Sequence, residues 1–364
     1  VTIRLRHLLL GLLGAGVLGL VVAGAGLINV GASSGHWSIT NVFLHWVMRS
    51  SVRTAALFVE APEVVDDPVL VRRATVHFEE SCAFCHGSPE QPYPPLPRHM
   101  TPPAPTLQNA ALQWSPEELF WIVQHGIKFS GMPAWISQER DDEVWAMVAF
   151  LRRLPDLDRD GYRQLLGGAE TPDAEAAPRL AAVLPGCVSC HGADGGSEAG
   201  AFPVIGGQSE AYLAESLKAF LDGRRESGIM EFAVSGLQEE ELAELARYYA
   251  GRTPATATGP AAGDAERGGR IAAEGVPGAR VPACESCHGG GGINPVIPRL
   301  DGQDAGYLAT QLRLWRDGVR GGTDYSDIMA HVVPGLGDEE IDDVAAFYAG
   351  RAGLAPATDE GGPP

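Results

Sequence analysis

The chain of 364 residues has no cysteine to spare. Its six cysteines fall into three pairs, so none remains for a separate disulfide framework. Basic charge is also scarce: 27 Lys and Arg face 46 Asp and Glu, a formal charge of −19. Each of the stretches 60–160, 161–255 and 256–364 is net negative. Phosphate binding needs a basic surface, so nucleic acid is a poor partner. A basic protein would be drawn in, unless the charge serves solubility alone. Residues 1–59 lack acids altogether and hold four arginines. Also missing are a nucleophile with its base, a carboxylate pair, a phosphate loop, and the βαβ setting that a thioredoxin-like dithiol requires.

Long apolar runs are few, but one is decisive. Arg4, Arg6 and His7 precede Leu8 to Ile28, 21 residues without a charge. A bilayer span needs about 20 such residues. Residues 1–30 are therefore expected to form a retained transmembrane anchor. Its arginines would stay in the cytoplasm, leaving the rest on the periplasmic side of a bacterial inner membrane. Ala23-Gly24-Ala25 resembles a cleavage site, which leaves processing open. The juxtamembrane segment 31–65 carries His36, Trp37, His45, Trp46 and Arg49. Aromatics beside a span mark the membrane interface; ligation by these histidines is the alternative.

What is present is a motif used three times. Cys82-Ala83-Phe84-Cys85-His86, Cys187-Val188-Ser189-Cys190-His191 and Cys284-Glu285-Ser286-Cys287-His288 are all CxxCH. This is the attachment signature of c-type haem. Two thiols form thioethers to the haem, and His86, His191 or His288 becomes a proximal iron ligand. A structural zinc site needs four ligands and each region supplies three. Three covalently bound haem c groups are expected.

Each motif heads a repeated unit: 66–154, 174–251 and 264–351. Between them lie linkers 155–173 and 252–263, and a disordered tail follows from 352 to 364. A first helix is expected at Val69–Glu80, Ala176–Leu184 and Ala265–Glu274. A last helix is expected at Asp141–Leu154, Glu239–Ala250 and Asp338–Ala349, each with an acidic start. Val144, Val148 and Leu151, like Leu242, Leu245 and Tyr249, recur at helical spacing and should pack on the first helix. Ser115 and Pro116 suit the cap and first position of a middle helix in unit 1.

Registration selects the second iron ligand. Eighteen residues after Met132, Met230 and Met329 stand Phe150, Tyr248 and Phe347. Upstream, Pro105-Thr106-Leu107, Pro203-Val204-Ile205 and Pro298-Arg299-Leu300 share a pattern, 27, 27 and 31 residues before the methionine. Unit 1 also holds Met100 and Met147, the latter inside the last helix and suited to a core. His331 lies two residues beyond Met329. A thioether favours reduced iron, and histidine–methionine ligation raises the reduction potential. With both axial positions filled, electron transfer is expected rather than bond chemistry. Arg224, Arg225 and Arg320, before the methionines, would neutralise haem propionates or simply be solvated. Eight prolines between Pro89 and Pro105 suggest a rigid extended loop over a haem edge, or a docking surface.

These residues carry a resemblance. Each unit resembles a class I cytochrome c domain, so the chain is expected to be all-α, three such domains after a transmembrane helix. Units 2 and 3 resemble the dihaem cytochromes of the c-four type through Pro-x-Leu-x-Gly-Gln, Tyr-Leu and the methionine. Unit 1 resembles single-haem domains with a Gly-Met-Pro-Ala-Trp loop (Gly131 to Trp135). The resemblance implies that the carbonyls of Pro105, Pro203 and Pro298 hold the other nitrogen of the proximal histidines. The expected role is an electron carrier between a quinol-oxidising complex or periplasmic dehydrogenase and a terminal oxidase or reductase. The alternatives are the cytochrome subunit of a membrane dehydrogenase and, needing an open haem position, a peroxidase or reductase.

Overall fold

A computed structural model describes residues 4–62, 67–167, 178–196, 200–254, 261–289 and 294–351. Among them there are helices and no strand, only an isolated bridge between Val276 and Val281. The first helix, α1 (Leu5–Gly24), is apolar all round and buries no residue. Its 20 residues are long enough to cross a bilayer.

The second helix, α2 (Ser38–Ala56), departs from the interface reading at its C-terminal end. Val52 and Ala56 are buried. Arg49 lies 4.3 Å over the Trp114 ring, and Arg53 pairs with Glu118 at 3.5 Å. Half of the juxtamembrane segment is thus a docked part of unit 1. His36, Trp37, His45 and Trp46 are exposed.

Unit 1 contains α3 (Pro68–Ser81), α4 (Ala83–His86), α5 (Pro95–Arg98), α6 (Leu107–Ala110), α7 (Pro116–His125) and α8 (Asp141–Arg153). Asp67 caps α3 with Pro68 at its first position, and Ser115 and Glu118 form a capping box on α7. Val71, Ala74 and Phe78 of α3 meet Val144, Val148 and Leu151 of α8 in one core, where Met147 is also buried. The expected linker 155–173 is corrected here, because α9 (Arg159–Leu166) packs back on α3. Tyr162 is fully buried and donates to Glu79 at 2.8 Å. An acidic, polar stretch still folds when one aromatic finds a pocket. The proline-rich segment is not extended either: it turns through α5, and Tyr93 donates back to the Ala104 carbonyl.

Unit 2 contains α10 (Pro178–His191), α11 (Glu210–Leu221), α12 (Gly228–Val234) and α13 (Glu239–Ala250). The expected break after Leu184 is absent: α10 runs through Pro185 into the haem motif. Proline removes one N–H and crowds the carbonyl four residues back, which kinks a helix without always ending it. Unit 3 contains α14 (Ala265–Glu274), α15 (Glu285–His288), α16 (Ala305–Arg316), α17 (Ser326–Val332) and α18 (Asp338–Ala349). Here the first and last helices, α14 and α18, pack together, and their Ile271, Ile341 and Tyr348 share a core. The tail 352–364 and residues 255–260 of the second linker lie outside the described residues.

Candidate functional site

Each CxxCH histidine lies on the last turn of a helix, at the end of α4, α10 or α15. Its Nδ1 meets a proline carbonyl: His86 with Pro105 at 2.7 Å, His191 with Pro203 at 3.1 Å, His288 with Pro298 at 2.8 Å. A carbonyl can only accept, so Nδ1 carries the proton and Nε2 keeps its lone pair. Burial holds all three imidazoles below their ordinary pKa, against the carbonyl bond that raises it. The donor is therefore neutral, oriented and ready for iron. All six cysteines are half-buried. Among the described residues no cluster of three His, Cys, Asp or Glu is placed for a bare metal ion.

Met132, Met230 and Met329 are all half-buried. Met230 and Met329 sit on α12 and α17, and the Met230 N–H donates to Ser227 Oγ at 3.1 Å. Met132 lies in an irregular loop, where its N–H donates to Ser130 at 3.2 Å. Met100 presses its methyl carbon against Gly131, in the place a Cβ would take. The structure thus brings Met100 beside Met132, while Met147 stays in the core of α8. His331 is exposed, with Nδ1 on the carbonyl of Asp327 at 2.6 Å.

The three arginines divide. Arg224 is exposed and pairs with Glu215 and Asp222. Arg225 is buried against Ser216, Tyr307 and Gln311, at 3.0, 3.3 and 3.5 Å. Arg320 reaches Gln311 and, at 3.3 Å, Tyr212. Tyrosines and a glutamine face these two guanidinium groups, not carboxylates. Burial raises the Tyr212 phenol, yet Arg225 and Arg320 together pull it down to about 7. Arg225 is buried and Arg320 half-buried, and among the described residues no carboxylate pairs with either; such cations suit a group that brings its own carboxylates, as haem does.

Residues 70–151 match the family model of the cbb3-type cytochrome c oxidase subunit III. The thiosulfate dehydrogenase electron acceptor of Thiomonas intermedia is 36% identical over 185 residues, 48% of this chain and 85% of that protein. Cytochrome c4 of Pseudomonas aeruginosa is 35% identical over 186 residues, 49% of this chain and 88% of that one. The crystal structure of cytochrome c4 from Pseudomonas stutzeri matches with a TM-score of 0.44 and 28% identity, over 50% of this chain and all of that one. The chain belongs to the c-type cytochromes related to cytochrome c4. Its three cysteine pairs hold three covalently bound haem c groups, and it is an electron-transfer protein.

The junction between units 1 and 2 of this cytochrome was not legible beforehand. Glu143 of α8 is 2% exposed. It accepts from Ser227 at 2.6 Å, from the Ile229 N–H at 3.3 Å and from Trp135 Nε1 at 3.2 Å. It also pairs with Arg140 at 3.0 Å, and Arg140 donates to the Glu226 carbonyl at 2.7 Å. Burial pushes the Glu143 carboxyl up, against the pull of Arg140. Nearby, Arg73 donates to the Ala201 carbonyl and Ser189 to Glu80, both at 2.8 Å. Val76 of α3 packs with Ala201, Phe202 and Cys190. Partners 84 to 128 residues apart leave no periodic signal.

Proposed function

We propose that this cytochrome is a membrane-tethered wire in which unit 2 lies electrically between units 1 and 3. His86 with Met132, His191 with Met230, and His288 with Met329 would be the axial pairs. When bound this way, haem iron cycles between two oxidation states at a raised potential. The chain's own part is to hold each imidazole by its proline, bury each thioether and cover the haem edges. The observation that carries the reading is the position of unit 2. Its Cys190 and Phe202 pack on α3 of unit 1, while its Gln208 bonds Arg299 of unit 3. Units 1 and 3 would then face different partners: a quinol-oxidising complex or periplasmic dehydrogenase on one side, a terminal oxidase or reductase on the other. The helix α1 would keep the wire at the inner membrane, facing the periplasm.

The test is spectroscopic. Methionine–iron bonds give a charge-transfer band in the oxidised protein, and Met132→Ala, Met230→Ala and Met329→Ala should each remove one third of it. A variant that leaves the band whole would remove that methionine from the ligand set. One relative is named as the electron acceptor of a thiosulfate dehydrogenase, and that supports a second reading, the cytochrome partner of a periplasmic dehydrogenase. A catalytic subunit co-purifying in stoichiometric amount would favour it.

A further inference from the structure

Units 2 and 3 meet through two glutamines in matching places. Gln208 follows Gly207 and Gln303 follows Gly302, both glycines at positive φ (68° and 73°). Gly207 and Gly302 each tie back to the last helix of their own unit, at the Tyr249 and Tyr348 carbonyls. The loop position of each glutamine is thereby set. Both amides are buried, 4% and 8% exposed. Gln208 Nε2 donates to the Arg299 carbonyl at 2.9 Å, and its Oε1 accepts from the Arg299 N–H at 3.0 Å. Gln303 treats Val204 the same way, with both bonds at 2.8 Å.

The residues so clasped are the ones after Pro298 and Pro203. The Arg299 N–H and the Pro298 carbonyl belong to one peptide group, and that carbonyl accepts from His288. The Val204 N–H and the Pro203 carbonyl likewise form one peptide group, which accepts from His191. Hydrogen bonds therefore run unbroken from Gln208 of unit 2 to His288 of unit 3, and from Gln303 of unit 3 to His191 of unit 2.

We propose that Gln208 and Gln303 are positioning residues acting in trans, each setting the reduction potential of the neighbouring unit's haem. The inference rests on His191 and His288 being iron ligands. A peptide whose N–H is bonded is polarised and accepts more strongly at its carbonyl. A stronger acceptor at Nδ1 makes Nε2 more basic, and a more basic ligand favours oxidised iron. Each glutamine thus lowers the potential across the interface. Val204 is 5% exposed and both of its bonds to Gln303 are buried. Unit 1 is the internal reference, because Thr106 after Pro105 is exposed and no Gly-Gln pair recurs there.

The test uses the full-length protein with all three haems. Axial-methionine proton resonances are followed by NMR through a redox titration, each assigned by its loss in Met230→Ala or Met329→Ala. Gln303→Leu should raise the potential of the unit 2 haem, and Gln208→Leu that of the unit 3 haem. The expected size is a threefold to tenfold change in the reduction equilibrium, about 30–60 mV at about 59 mV per tenfold for one electron. Gln303→Glu, which keeps an acceptor opposite the Val204 N–H, should return the unit 2 haem to the native potential or below. A shift only in the substituted residue's own unit, equal shifts in both units, or no shift would overturn the proposal. Failure of the methionine variants to remove a resonance would instead overturn the ligand assignment.

Discussion

His77 sits on α3 between the Trp135 ring of its own unit and the Phe232 ring of unit 2. The ring centroids are 5.1 and 5.7 Å away. Burial lowers its pKa from 6.5 to about 4, so the folded protein keeps it neutral where the unfolded chain would protonate it. The stability it allows is complete above pH 6.5 and is lost as the pH falls toward 4. At about 1.4 kcal/mol per unit this amounts to about 3 kcal/mol. Denaturant unfolding at pH 7 and pH 4.5 should show that loss in the native protein and much less of it in His77→Phe. Equal losses in the two proteins would place the acid sensitivity elsewhere. His77 is one of ten histidines, and its ring neighbours, one in a loop of unit 1 and one on α12 of unit 2, give it an environment that local sequence does not encode. His86, His191 and His288 stand out in the sequence as candidate proximal ligands because each adjoins a cysteine pair.

At the scale of elements, two apolar segments near the N-terminus have opposite fates. The first, α1, buries nothing within the protein. Removing residues 1–30 should therefore release a soluble, red protein with all three haems, checked by its absorbance after high-speed centrifugation. Retention on the membrane would require a second anchor. The other segment, α2, docks on α7, with Val52 1% exposed. Val52→Asp should cost unit 1 about 2–4 kcal/mol, because a carboxyl would be buried without a partner; thermal unfolding measures it. The helix itself was hidden by its composition. Trp, His and Arg beside a span read as an interface, and only the facing Trp114 ring and Glu118 carboxylate give Arg49 and Arg53 partners within unit 1. In α9, Tyr162 likewise converts an expected linker into part of the core.

For the whole molecule, the junction of units 1 and 2 and the acidic surface matter most. Glu143→Ala would leave Arg140 with Asp142 as its carboxylate partner but strip the acceptor from the Ser227 and Trp135 donors, a change that costs about 1–3 kcal/mol. It should loosen the junction and slow electron exchange between the first two haems. Glu143→Gln keeps the hydrogen-bonding shape and should do less on both counts; photoreduction kinetics and unfolding midpoints are the readouts. The net charge of −19 predicts steering of basic partners. Electron exchange with a basic single-haem cytochrome should slow about tenfold or more between low salt and 0.5 M, as screening shortens the Debye length. A rate independent of salt would remove charge as the guide.

From sequence alone came the number of haems, their three cysteine pairs, the helical class and the apolar first helix. All of these depend on residues adjacent in the chain or repeated at a fixed period. The tertiary structure alone decided that α2 and α9 belong to unit 1, that Arg225 is buried while Arg224 is exposed, and that Gln208 and Gln303 reach across to each other's units. Those outcomes depend on surfaces brought together from about 65 to 110 residues apart. Burial and a facing partner, neither of which has a local period, determine what such side chains do.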